Sequence, residues 1–338
     1  MGTPLDKSTN TPNLTYIHSA IDGIIDFLRQ EAIVFLRSTV AIGLSREVQE
    51  KLHNSGRRDL GVCFAPERTV EGAALEELEK LPQIFSADSI DLPHCKSLLE
   101  KMNFFLIQAD SLEAAEAAKL LSNTYRDINF SIANLFALIC EDQGLSFNSI
   151  RRVAEFRYQR NNFGVPGFVS GPCLSKDSYI ISSTLANSKL ASAVTMGRGI
   201  EEMLIDKVVE KITANRDRNW VFTGLAFKGQ PETSDLRDSS VLLILSKLAG
   251  IGVDIRVHDF TVPESDLRDL PYPLLKTAEL YGLDANSSAI FIGNNSVKYR
   301  KQQFETFITE FLSSGGLIFD TWGILEYEHP SIISLGHM

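Results

Sequence analysis

From Asn13 to Gln30 the apolar residues Leu14, Ile17, Ile21, Ile24, Ile25 and Leu28 recur at steps of three and four. That spacing predicts an amphipathic helix after the start signal at Pro12. The run Ala32-Ile-Val-Phe-Leu-Arg37 predicts a strand, Ser45 to Leu52 a second helix, and Leu60-Gly-Val-Cys-Phe-Ala65 a second strand. Helix alternating with strand is the pattern of a parallel α/β sheet. A doubly wound sheet normally opens with a strand and its phosphate-binding turn, whereas this chain opens on a loop that leads into a helix.

From Leu112 to Cys140 an apolar stripe (Leu112, Ala115, Ala118, Leu121, Tyr125, Ile128, Ile132, Leu135, Ile139) continues without Pro or Gly, which predicts a rod of roughly 45 Å. Such a helix can join domains and offer a dimer face. Helices near 147–156 and 188–213 follow, separated by a loop rich in Gly, Pro and Asn from Tyr158 to Asp177. A second α/β unit then predicts strands at 220–227, 254–258, 288–293 and 316–320, with helices at 239–250, 273–281 and 303–312 between them.

At 338 residues, the usual prior of roughly 100–200 residues per domain gives two domains. With 44% hydrophobic and 22% charged residues and a mean hydropathy of -0.02, the chain has the composition of an ordinary globular protein. A net charge of -10 and the lack of a basic run argue against a nucleic-acid partner. Apolar stretches such as Ser239 to Ser246 fall short of a membrane span, and the opening Met-Gly-Thr-Pro-Leu-Asp does not read as a signal peptide. Cys63, Cys95, Cys140 and Cys173 form no CxxC pair, so neither a zinc site nor a disulfide framework is expected, and a reducing, cytoplasmic setting fits.

The strongest chemical signal is Gly164-Val-Pro-Gly-Phe-Val-Ser-Gly-Pro-Cys173-Leu-Ser-Lys-Asp177. Its glycines and prolines fix an irregular backbone that delivers a thiol, followed by an amine and a carboxylate; it is either a nucleophile loop or a turn with an incidental cysteine. Lys119 and Asn123 lie one turn apart on the long helix, where they form either a pair of oxyanion donors or a solvated face. Thr39 and Glu67 follow the two early strands, where ligands of open α/β sheets bind and where caps and turn formers also occur. Gly250-Ile-Gly252 ends a helix and precedes a strand, so it is a helix stop rather than a dinucleotide fingerprint.

The chain resembles the UDP-glucose/GDP-mannose dehydrogenase family in Thr3-Pro-Leu-Asp6, Ser38-Thr-Val40, Ala65-Pro-Glu-Arg68, Lys119 to Asn123, Arg126-Asp-Ile-Asn129, Gly167 to Asp177, Gly224-Leu-Ala-Phe-Lys228, Asp235-Leu-Arg-Asp-Ser239 and Phe319-Asp-Thr-Trp-Gly323, in family order. The resemblance implies an α/β protein with an N-terminal Rossmann-like NAD-binding domain over 1–110, a central helical domain with the cysteine loop over 111–213, and a complete Rossmann-like UDP-sugar domain over 214–338. It implies an NAD-dependent nucleotide-sugar 6-dehydrogenase, which takes a UDP-sugar to a UDP-uronic acid for polysaccharide synthesis. Cys173 would be the nucleophile, Lys119 and Asn123 the oxyanion donors, Asp177 the partner of the attacking water, and Glu67 with Thr39 an acid/base network. Glu67, Arg68, Glu71, Arg157 or Arg160, Phe168, Gly171 and Lys228 match substrate-binding positions; Thr3, Thr39, Glu71, Lys176 and Arg237 match positions that touch NAD. No metal is implied. A homodimer built on the long helix is implied, because in relatives an arginine of the loop before the cysteine reaches the neighbouring subunit's site. Gly171-Pro-Cys-Leu-Ser-Lys-Asp177 points to the N-acetylhexosamine branch.

Thr3-Pro-Leu-Asp6 matches the family just after the fourth strand of its NAD domain. The resemblance therefore predicts a chain that lacks the first four strands, keeps only a remnant of that domain, binds NAD poorly and is inactive alone. The alternative is a non-catalytic protein that binds a UDP-sugar or pairs with a full-length relative.

Overall fold

A computed structural model describes residues 3–6, 8–102, 105–325 and 329–336. The chain divides into two compact units, residues 1–126 with 176–195 and residues 127–175 with 196–338. Before the long helix come α1 (Thr15–Ile24), β1 (Ile33–Leu36), α2 (Leu44–Asn54), β2 (Gly61–Phe64), α3 (Ala74–Lys80), β3 (Gln83–Ala87), α4 (Leu92–Lys101) and β4 (Leu106–Gln108). The long helix α5 (Leu112–Asp142) gives its residues to Arg126 to the first unit and the rest to the second. Then follow α6 (Phe147–Glu155), α7 (Asp177–Ser182) and α8 (Ser188–Ala214). The second unit is completed by β5 (Asn219–Thr223), α9 (Ser240–Leu248), β6 (Asp254–His258), α10 (Glu264–Arg268), α11 (Thr277–Leu280), β7 (Ser288–Ile292), α12 (Gln302–Ser313), β8 (Leu317–Asp320) and β9 (Ile332–Ser334). Among the described residues no helix is long and apolar enough to cross a membrane.

The first unit holds a four-stranded sheet in the order β1-β2-β3-β4. β1 and β2 run parallel, with Ile33 opposite Gly61 and Leu36 opposite Phe64, whereas β3 is antiparallel to β2 and parallel to β4. Sequence pattern predicts two strands here, and β3 and β4 correct it. β3 carries the polar residues Gln83 and Ser86 at buried positions, and β4 is three residues long, so neither shows a clean apolar run. Ile17 and Ile21 from α1, Val48 and Leu52 from α2, and Leu112 and Ala115 from α5 pack on Val34, Val62 and Phe64. Gly43, at φ +96°, opens α2 without a side-chain cap. Glu116 of α5 caps it instead, accepting the amides of Gly43 (2.6 Å) and Ser45 (2.7 Å), which are orphan donors of a helix start.

The second unit holds a parallel five-stranded sheet in the order β6-β5-β7-β8-β9. Counted locally this is second-first-third-fourth-fifth, a doubly wound order whose switch point lies at β5 and β7. Trp220, Phe222, Phe291 and Phe319 fill its interior, with Phe222 stacked on Phe291 at 4.7 Å. Sequence pattern predicts four strands; the fifth, β9, is a short half-buried edge. The helix predicted over 273–281 is reduced to α11, because Pro273 and Leu275 hydrogen-bond to Val257 and extend the sheet beside β6. Gly250 and Gly252, at φ +83° and +84°, end α9 in a tight turn, as their position predicts.

Candidate active site

In the second unit the glycine-rich loop is held residue by residue. Asn134 of α5 makes a paired contact with Gly167, donating Nδ2 to its carbonyl and accepting its amide, each at 2.9 Å. The Val169 amide donates to Glu201 Oε1 of α8 at 3.1 Å, and Arg198 Nη1 donates to the Val169 carbonyl at 3.4 Å. Gly171 donates to the Asp238 carbonyl at 2.9 Å, and the Ser175 hydroxyl donates to the Asp238 carboxylate at 3.3 Å. The glycines are required by close approach: a Cβ at Gly167 would lie 2.6 Å from the Trp322 ring, and one at Gly171, whose φ is +95°, would lie 2.5 Å from the Phe227 ring. At the end of this fixed loop Cys173 is exposed, while Cys63, Cys95 and Cys140 are buried. A rigid backbone presenting an accessible thiol is the arrangement a covalent nucleophile needs.

The same unit presents Lys228 at the switch point. After β5 the chain turns at Gly224 (φ +77°), and Asn294, after β7, donates to the Ala226 carbonyl at 3.2 Å while Gly229 donates to Asn295 Oδ1 at 3.0 Å. Asp259, at the end of β6, accepts the Leu225 amide at 2.7 Å. Lys228 emerges from this braced turn with Nζ 5.2 Å from the Phe227 ring centroid. Arg237 is exposed and chelates Asp235, its closest contact 2.6 Å. Arg157, at φ +55°, and Arg160 are exposed and lie over Phe156 and Tyr158, respectively. Phe168 takes a different place from the expected substrate contact, since its side chain is in the apolar core facing Phe291.

In the first unit Asn123 and Asp177 are brought together: Asn123 Nδ2 donates to Asp177 Oδ2 at 2.6 Å, and both residues are buried. Burial pushes the Asp177 carboxyl above the usual aspartate range against the pull of Lys176, Asn123 and Lys119. Its Oδ1 makes no hydrogen bond, with Lys176 Nζ 3.6 Å away. Lys176 also donates to the Thr3 carbonyl at 3.1 Å, and the Thr3 hydroxyl donates to the Thr39 carbonyl at 2.6 Å. Thr3, Thr39, Lys176 and Asp177 thus form one connected cluster beyond β1, with Asn123 attached. Glu67 takes a more structural place. Arg37 pairs with it at 2.6 Å, linking the carboxyl ends of β1 and β2, and its other oxygen accepts the Arg68 and Thr69 amides. Burial raises its pKa, but the Thr69 amide and Arg37 outweigh that and hold it down to about 2, so Glu67 is a fixed anion and a weak base. The Arg68 guanidinium donates to the Pro82 carbonyl at 3.2 Å, and Glu71 is exposed on the following loop.

Sequence reasoning did not single out Arg37, Asn134, Arg198, Glu201 or Asp238. On α5 a signal exists: Asn123, Asp127, Ser131 and Asn134 place buried polar groups at three- and four-residue steps, with Glu116 two turns before them, in a helix that is otherwise amphipathic.

Three family models match the chain: the NAD-binding domain of the UDP-glucose/GDP-mannose dehydrogenase family at residues 1–91, its central domain at 113–201 and its UDP-binding domain at 221–327. A UDP-N-acetyl-D-mannosamine dehydrogenase of Methanocaldococcus jannaschii is 29% identical over 265 residues, covering 78% of this chain and 60% of its own length. One of Escherichia coli K12 is 27% identical over 306 residues, covering 82% and 70%. The chain therefore spans well under the full length of both. Among solved structures, the UDP-D-ManNAc dehydrogenase of Pyrococcus horikoshii superposes with a TM-score of 0.81 at 23% identity over 100% of this chain and 80% of that one, a likeness of fold. The match at residues 1–91 overturns the expectation that the NAD-binding domain is truncated to a remnant, and the expected loss of NAD binding and activity that was built on it is left without support.

Proposed function

This chain belongs to the UDP-glucose/GDP-mannose dehydrogenase family, and from that premise we propose that it is an NAD-dependent nucleotide-sugar 6-dehydrogenase acting on a UDP-N-acetylhexosamine. The observation that carries the proposal is the pair Asn123–Asp177, a buried carboxyl group with Oδ2 hydrogen-bonded and Oδ1 facing the Lys176 ammonium at 3.6 Å, an ion pair without a hydrogen bond. A buried polar atom left in that state is costly in a purely structural role and suits a group that receives a donor from a bound molecule. The names of the two relatives, both UDP-N-acetyl-D-mannosamine dehydrogenases, favour the N-acetylhexosamine over the plain hexose.

Residues 1–110 are proposed as the NAD-binding part, 111–213 as the central part and 214–338 as the UDP-binding part. The donor set of the first suits a dinucleotide: Thr3, Thr39 and Lys176 combine hydroxyl and ammonium groups beyond a parallel strand. With Glu71 and Arg237 they would hold NAD, which when bound accepts the electron pair of each oxidation stage. Lys228 and the braced turn after β5 would bind the diphosphate of the nucleotide sugar, and Gly171 with Arg157 or Arg160 would complete its site. The Cys173 thiolate adds to the aldehyde carbon and, after the second oxidation, is carried as a thioester. Lys119 and Asn123 donate to the developing oxyanion. Water opens the thioester, the Asp177 carboxylate taking its proton as the acyl C–S bond breaks and Cys173 is released. Exposed apolar residues along α5, among them Leu121, Tyr125, Ile132 and Ile139, support a homodimer built on that helix. Calorimetric titration of the chain with UDP and with NAD tests the proposal: both should bind, and failure of UDP to bind at millimolar concentration overturns it.

A further inference from the structure

Glu201 on α8 is buried, and its carboxyl group has no part in the chemistry derived above. Its Oε1 accepts two hydrogen bonds, from the Val169 amide at 3.1 Å and from the Ser240 hydroxyl at 2.9 Å, while Oε2 has no hydrogen-bond partner. One turn earlier on the same helix, Arg198 donates to the Val169 carbonyl at 3.4 Å and pairs with buried Asp127 of α5. The Val169 peptide is therefore gripped at both ends by one turn of α8, four residues before Cys173. Ser240 relays the hold: its amide donates to Ser170 Oγ at 3.0 Å and its hydroxyl accepts from Ser170 Oγ at 2.7 Å.

We propose that Glu201 is a positioning residue for Cys173, its Oε1 fixing together the backbone of the cysteine loop and the first turn of α9 so that the thiol is presented in one geometry. A structural role alone explains the residue poorly. Taking a carboxyl group out of water with one oxygen unsatisfied is unfavourable, and an apolar residue would fill the space more cheaply. Burial, against the pull of Arg198, pushes the Glu201 carboxyl upward toward its neutral form. In that form Oε1 still accepts both bonds, so the hold does not depend on charge. The groups that face it are Arg198 on its own helix, Asp127 of α5 and Ser240 of α9.

The inference rests on Cys173 as the nucleophile, and its test separates the two. In the full chain, Glu201→Ala and Glu201→Gln are compared by the rate of iodoacetamide alkylation at Cys173, mapped by mass spectrometry, and by kcat and KM for NAD with a UDP-N-acetylhexosamine. Glu201→Ala should change the alkylation rate at least about fivefold and lower kcat at least about tenfold, with KM for NAD within about twofold, as expected for a misplaced reacting group. Glu201→Gln keeps the accepting oxygen and should stay within about threefold of the parent in both. If Glu201→Ala does not fold, Ser240→Ala, which removes one of the two donors, is measured in its place. A folded Glu201→Ala with unchanged alkylation and kcat, or a folded Glu201→Gln as impaired as Glu201→Ala, overturns the inference. Altered alkylation in a chain that oxidises no nucleotide sugar overturns the function and leaves the positioning role standing.

Discussion

Replacing Asn123 by alanine removes the hydrogen bond that its Nδ2 donates to Asp177 Oδ2 and leaves the buried carboxyl group with the Lys176 ion pair at Oδ1. A hydrogen bond to a charged acceptor contributes about 1.5–3 kcal/mol, so a loss of about 2 kcal/mol is expected at neutral pH. For a transition involving 150–250 residues that is a fall of about 4–8 °C in Tm. The sign with pH follows from Asp177. Its folded pKa lies above the unfolded value, so folding disfavours the ionised form. That penalty is absent below the unfolded pKa, where the group is protonated in both states, and is complete above the folded pKa. Asn123→Ala raises the folded pKa further and deepens the penalty, so its cost should be larger near pH 7 than near pH 4. In an Asp177→Asn background, where no charge is present, the cost should shrink. Scanning calorimetry of the ligand-free chain measures all three. A shift below about 1 °C, or one equal at both pH values and in both backgrounds, refutes the reasoning.

Other predictions follow from the same geometry. Arg198→Met strands buried Asp127 without its cation and should cost about 3–5 kcal/mol in urea unfolding, most of it recovered in Arg198→Met/Asp127→Leu. Burial holds the His258 imidazole down to about 4 against the smaller effect of Asp259, so its contribution to stability is complete above the unfolded pKa and lost as pH falls toward 4. His258→Asn should flatten that acid-side loss, worth up to about 3 kcal/mol, in Tm measured across the range. Gly171→Ala forces a side chain onto a positive φ and into the Phe227 ring, and should cost about 1–3 kcal/mol by the same urea assay.

The regular periodicities carried most of the architecture. The stripe from Leu112 to Ile139 became α5, and the apolar runs at Ile33, Gly61, Trp220, Ile255, Ala289 and Ile318 became strands, because an unbroken apolar pattern leaves few alternatives. What was illegible is what tertiary context decides. β3 buries Gln83, whose amide donates to Pro66 and Ile84 carbonyls, so polar residues pass for loop where they are core. The cysteine loop was visible as a glycine-rich segment, but its clamp comes from Asn134, Arg198 and Glu201, distant in sequence and without a local motif, and from Asp238, whose motif gives no sign that it holds Gly171 and Ser175. Glu67 shows the opposite case: its position beyond β2 was legible, but only Arg37 and the Thr69 amide make it a fixed anion. The expectation of a shortened N-terminal domain rested on one four-residue motif, Thr3-Pro-Leu-Asp6, too short to fix how much of a domain a chain carries, and the family match at 1–91 corrects it.

The central claim is most directly tested by the stoichiometry of cofactor reduction. Incubated with NAD and a limiting amount of a UDP-N-acetylhexosamine, the chain should form two NADH for each UDP-uronic acid released, and Cys173→Ala should abolish formation of the acid. Absence of NADH with every UDP-sugar offered, or full acid formation by Cys173→Ala, contradicts the account.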